Sequence, residues 1–498
     1  MSFSVPRRRF LHSLAGTGAL LSPLGRHLPT VSAMEAAIPP SSVRFSPEIE
    51  PLVRLLEDTP RENLLEKVAA GILKDGLTYR NTLAALLLAG IRNIQPRPVG
   101  FKFHAVLVVH SAHLASLNSP DADRWLPLFW ALDQFKSSQA QDVQQGDWTM
   151  AAVDEKAVPE AAKAREAFTS AMDAWDPARV DVAVTGLARA AGAQEVFDWF
   201  CHYGARDFRD IGHKAIYVAN SWRTLQTIGW HHAEPVLRSL AYALLEHESG
   251  NPAERDAEPD RPGRRNQSLT GKIREDWQTG IITPEGRNEM LSALRNGNWE
   301  QAADKVVELL NRGSHPQTIW DAFFQSSAEM LMRKPGIVAL HAVTTTNALH
   351  YSWQHCHNDR TRRFLLLQNA SFLTMFRNAS GAHEGVALDT FEAAPPGADL
   401  DTLLGTISQD RMLAARQSLT WLKNGGDAKS FSAAAQHLIY LKGTNSHDYK
   451  FSSAVFEDYR HLSPDVRNRF LAASVFWLKG NAENENPLVA RTRHALGS

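Results

Sequence analysis

The sequence predicts an all-α fold, and three observations carry that expectation. Strand signals are nearly absent. Apolar residues recur at i, i+3, i+4 and i+7 along most of the chain, as in "EPVLRSLAYALLEH" and "RRFLLLQNASFLTMF", which is the spacing of a helix with one buried face. A pattern of turn, helix, Gly-containing break and second apolar helix also returns four times. It starts near Leu55, Met172, Leu294 and Leu422.

Local chemistry supports each start. Asp176-Pro177 and Thr59-Pro60 pair a capping oxygen with a proline at the first helical position, where the missing N–H is harmless. Asn298 and Asp427 are expected to cap the other two. In the first three units a further helix follows, opening on His104, His213 or His341. An apolar helix then arrives at a fixed distance: Pro127 is at +23, Pro235 at +22 and Phe364 at +23. In the last unit His447 lies 23 before Phe470, but it aligns better with His315, since both follow a Gly break. The units cover roughly 50–150, 160–250, 286–380 and 406–482. Their spacing exceeds the ~34–47 residues of common solenoid repeats. The expected architecture is repeated helical hairpins packed as one continuous α domain over 34–498, an α-repeat or toroid-like bundle. Two polar stretches, 247–287 and 380–405, interrupt the pattern and are expected to be surface loops or lids.

Bulk properties narrow the function. With 53 basic and 54 acidic residues the net charge is −1, so no basic footprint for nucleic acid exists. No apolar run reaches the ~18–20 residues of a membrane span. At the N-terminus, Arg7, Arg8, Phe10 and Leu11 form R-R-x-F-L. A short apolar stretch and the small residues Val31–Ala33 follow. Residues 1–33 thus read as a twin-arginine signal, with the twin-arginine export machinery as a partner and a periplasmic or secreted destination. Cys201 and Cys356 are the two cysteines; a bridge and two buried thiols are both open.

The histidines are the candidates for chemistry. A helix turns about 100° per residue, so His104 shares a face with Val108 and Ser111. His213 shares one with Tyr217 and Asn220, and His341 with Thr345 and Ala348. If the units pack side by side, His104, His213 and His341 converge on one pocket, where imidazoles bind a transition metal or act as bases. His213 and His341 are the catalytic candidates, with Asp207 expected to orient an imidazole. His110 and His113, three apart, are a further candidate metal pair. Lys450, three residues after His447, is read either as an anion holder or as part of a solvated helix start. No nucleophile elbow, Walker A, dinucleotide fingerprint or H-E-x-x-H motif occurs in context.

The segments "HPQTI", "HKAIY" and "HAVTT" resemble the questin oxidase-like family. That resemblance implies an oxidative, Baeyer–Villiger-type activity on an aromatic polyketide, and it carries no catalytic residue across. Together these readings predict an exported oxidoreductase with a histidine-lined interior pocket, acting on an apolar or aromatic small molecule. The competing expectation is a non-catalytic periplasmic α-repeat scaffold with structural histidines.

Overall fold

Helices of two kinds build the molecule. The computed structural model describes residues 42–246, 251–252, 254–394 and 398–497; the twin-arginine segment lies outside them. Among the described residues there are 23 α-helices and no strand. Outer helices are amphipathic. Trp299–Arg312 buries Ala302, Ala303, Val306, Leu309 and Leu310 and turns Gln301, Asp304 and Glu308 outward. Each buried Val or Leu contributes about 1.5–3 kcal/mol. Inner helices have no polar face. In Ile337–His355, every residue from Ala339 to Ser352 is buried, which marks a core helix.

Four inner helices form a closed ring. They are His104–Leu107 running into Val109–Leu117, then His213–Ile228, Ile337–His355 and Ser446–Asp458. Each packs on two of the others in cyclic order. Around them sit the hairpins whose starts were read from the sequence. The side chain of Asp176 accepts from the N–H groups of Ala178 and Arg179, and Pro177 opens the helix. Asn298 forms a capping box with Gln301, and Asp427 caps the N–H groups of Lys429 and Ser430. Thr59 does not cap. Its hydroxyl donates back to the Leu55 carbonyl and closes the preceding helix, and the next helix begins at Arg61 without a side-chain cap.

The first polar stretch is less irregular than expected, since it contains helix Arg261–Leu269. The tryptophans pack into the core at separate places. Trp130 stacks on Tyr449, Trp125 packs on Tyr79, and Trp222 stacks on Phe197 beside Trp230. Cys201 and Cys356 are buried free thiols, and burial pushes the Cys201 thiol up, with Cys356 as its hydrogen-bonding neighbour.

Burial also holds His110, His202 and His350 below the usual imidazole range, His202 down to about 4. The unfolded chain therefore takes up protons first, beginning near pH 6.5. Stability is full above that value and falls as pH drops toward the folded-state pKa. The unfolding free energy from urea titration should decrease as pH falls from about 6.5 to 5, by up to about 1.4 kcal/mol per pH unit for each such histidine. His202→Phe should flatten the slope by about one such increment; an unchanged slope would contradict the assignment.

Candidate histidine centre

Backbone turns place the imidazoles. Gly100 and Phe101 adopt positive φ (143° and 44°) just before His104. Asp210, Ile211 and Gly212 do the same (52°, 45° and 79°) just before His213. Left-handed backbone at a non-glycine residue is unfavourable by about 1–3 kcal/mol and persists where surrounding structure enforces it. The conformation points the carbonyl three residues back at the ring. His104 Nδ1 lies 2.8 Å from the Phe101 carbonyl, and His213 Nδ1 lies 2.6 Å from the Asp210 carbonyl. His341, inside its helix, uses the Ile337 carbonyl at 2.7 Å.

A carbonyl oxygen only accepts, so each Nδ1 carries the proton and each Nε2 presents a lone pair. Those lone pairs converge. His213 Nε2 is 3.0 Å from His104 Nε2 and 2.8 Å from His341 Nε2. His447 completes the group: His104, His341 and His447 offer ring nitrogens within 4.8 Å of one another. His447 Nε2 is buried without a partner among the described residues. His213 and His341 are buried, whereas His104 and His447 are partly exposed. The centre therefore opens to one side, and Phe101, whose carbonyl holds His104, has an exposed side chain.

Electrostatics keep the rings neutral. Burial is the main cause, and neighbouring imidazoles or Lys450 add to it, so all four sit well below the ordinary range, with His447 down to about 3. Lys450, one turn after His447, has a fully buried ammonium with no partner among the described residues. Desolvation pushes it down to about 7.

Behind the imidazoles lies a polar cavity of about 20 Å³, room for one water. Ser111, Asn220, Ala348 and Ala454 line it, together with His110, Lys450 and the Arg223–Glu457 ion pair. The first four are seven residues beyond the four histidines, two turns or about 10 Å along each helix. The ring of helices thus stacks one layer of imidazoles over one layer of small and polar residues.

The other sequence candidates lie elsewhere. His113 Nδ1 meets the Tyr79 hydroxyl at 3.1 Å, and His110 lines the polar cavity. Neither belongs to the four-imidazole group. Asp207 does not orient His213. It pairs with Lys214 Nζ at 3.0 and 3.1 Å and accepts from the Arg209 N–H. His447 and Lys450 are the residues that the alignment passed over. The +23 offset to Phe470 was the signal for His447, whereas His315 proves to be a helix cap accepting from the Gln317 N–H. His355 bonds the Tyr351 carbonyl, and His350 packs on Trp320 and Phe324, away from the group.

No family model, no curated protein and no solved structure matches the chain.

Gly212 fixes the second turn. A Cβ there would lie 2.1 Å from Thr345 Oγ1 and 2.6 Å from its Cγ2, at a φ of 79°. Gly212→Ala should lower stability by about 1–3 kcal/mol and disorder the His213 ring. Denaturant melts and histidine NMR shifts check this; an unperturbed His213 resonance in a variant of normal stability would refute it.

Proposed function

We propose that the four imidazoles hold a transition-metal ion and that the protein is a metal-dependent oxidoreductase. One observation carries the reading: protonated Nδ1 atoms leave Nε2 lone pairs facing one another at 2.8 and 3.0 Å. Two lone pairs at that distance repel unless a cation lies between them. The neutral rings supply no proton for the purpose. The carbonyl bonds are the outer-shell partners that metal-binding histidines use to fix tautomer and ring orientation.

The separations also bear on the ion. Bonds of 2.0–2.1 Å set at right angles put nitrogens roughly 2.8–3.0 Å apart, whereas tetrahedral ones put them roughly 3.3–3.4 Å apart. Right-angled nitrogen donors favour iron, copper or nickel over zinc. No carboxylate stands in the donor set, so a metallohydrolase would lack its usual base. A bound ion of this kind supplies one-electron chemistry and activation of an oxidant. The protein's own groups hold the donors, exclude water on the His213 and His341 side and leave access at His104 and His447. The exposed side chain of Phe101, whose carbonyl holds His104, suits an apolar or aromatic small molecule. The R-R-x-F-L segment supports export by the twin-arginine route, which carries folded proteins and suits a centre loaded before export.

Protein purified without chelator should contain about one equivalent of iron, copper or nickel by elemental analysis. His213→Ala and His447→Ala should each lose at least tenfold in affinity, while His113→Ala should retain the metal. Removal of the ion should lower the melting temperature. Metal-free protein that takes up none of these ions and melts unchanged would favour the scaffold with structural histidines.

A further inference from the structure

A second cleft lies between helices Ala193–Gly204, Arg261–Leu269 and Asp359–Ser380. It consists of a cavity of about 450 Å³ and a neighbouring one of about 220 Å³. The two share His202, Gln267 and Phe364 as lining residues. Neither is lined by any of the four histidines or by Lys450. The size is that of a small-molecule site. Aromatic rings stand in its walls among polar and charged side chains. The His202 and Phe364 rings lie 5.1 Å apart, Trp199 lines the larger part and Trp175 the smaller.

Arg206 supplies the polar anchor. Its guanidinium lies 3.8 Å from the Trp175 ring centre, and Nη1 donates to the Met172 carbonyl at 2.8 Å. Nε and Nη2 are closed off from solvent and have no acceptor among the described residues. Those two N–H groups form the fork that a carboxylate fills side-on. The protein shows the filled version nearby, where Arg209 Nε and Nη2 donate to the two Asp260 oxygens at 2.9 and 2.7 Å. Among the described residues, Arg206 alone leaves both buried atoms of its fork unmatched.

The carboxylates around it already have partners of their own. Asp207 pairs with Lys214, Asp260 with Arg209, and Asp173 accepts from the Tyr203 hydroxyl. Buried guanidinium N–H groups left without an acceptor are unfavourable by about 1–3 kcal/mol or more. Close packing holds it there, since a Cβ at Gly263 would lie 2.0 Å from the Arg206 carbonyl oxygen. This close approach brings helix Arg261–Leu269 over the cavity.

We infer that this cleft binds a small aromatic carboxylate, with its ring against Phe364, His202 and Trp199 and its carboxylate on the Nε–H and Nη2–H of Arg206. The assignment does not rest on the metal reading, because no residue is shared between the two sites. Calorimetric titration of the full chain with naphthoate tests it, with naphthalenemethanol as the ring without the carboxylate. Both metal-free and metal-loaded protein are used. Naphthoate should bind equally to the two forms, and at least tenfold more tightly than the alcohol. Arg206→Met should reduce naphthoate to the alcohol's level, and Arg206→Lys should recover part of the difference. Trp199→Ala, at the rim of the larger cavity, should weaken both ligands alike and stands in if Arg206→Met does not fold. Equal affinity for acid and alcohol, an Arg206→Met variant that binds naphthoate normally, or binding that appears only with metal would each overturn the assignment.

Discussion

The hydrogen bond from imidazole Nδ1 to a main-chain carbonyl organises this molecule's interior. It decides which ring nitrogen carries the proton, fixes the ring plane and aims the other nitrogen inward. At His104 and His213 it demands a left-handed turn three residues earlier, and that turn demands Gly100 and Gly212. Gly100 lies against both rings, since a Cβ there would meet His213 Cε1 at 3.3 Å and His104 Cε1 at 3.7 Å. Side chain, turn and glycine therefore form one constraint that cannot be relaxed piecemeal.

The same constraint explains why so much polarity is buried. Isolated imidazoles, a lysine ammonium and a row of hydroxyl and amide side chains are expensive to take out of water. Here they occupy the axis of a four-helix ring, around which the outer helices pack largely apolar, close-packed side chains. The polar cavity, the Arg223–Glu457 pair and Asn347 bonded to Glu457 and Asp458 continue the polar column along that axis. The fold accordingly has an apolar shell around a polar core line, the reverse of a simple oil drop.

Much of this arrangement was legible from residues alone. Helical periodicity announced the fold class. The shared offset from His104, His213 and His341 to a later apolar helix identified three members of the centre. Ser111, Asn220 and Ala348 were already placed on the same faces as those histidines, and all three line the cavity. The fourth histidine was obscured because two alignments competed, and the Gly break before His315 resembled that before His447. Cap chemistry separates them: His315 uses its own ring as the cap, whereas Asn445 caps the helix at His447 and leaves that ring free. Asp207 was misplaced by sequence proximity. The left-handed turn through Asp210, Ile211 and Gly212 folds the chain back, so Asp207 and Lys214 meet as ions of opposite charge, and a buried lysine outcompetes an imidazole for the carboxylate. Which carbonyls would accept from the histidines was not legible, because it depends on positive φ at Phe101, Asp210 and Ile211, of which only aspartate has any preference for it.

The wide separation of the four histidines along the chain governs the order of assembly. His104 and His213 are 109 residues apart, and His213 and His341 are 128 apart. No single hairpin, and no pair of neighbouring hairpins, contains the set. An unfolded or half-made chain offers scattered imidazoles and loses a large loop-closure entropy on gathering them. The cluster is thus a property of the finished chain. Any ligand that requires all four rings distinguishes completed molecules from incomplete ones, and its binding energy adds wholly to the native state.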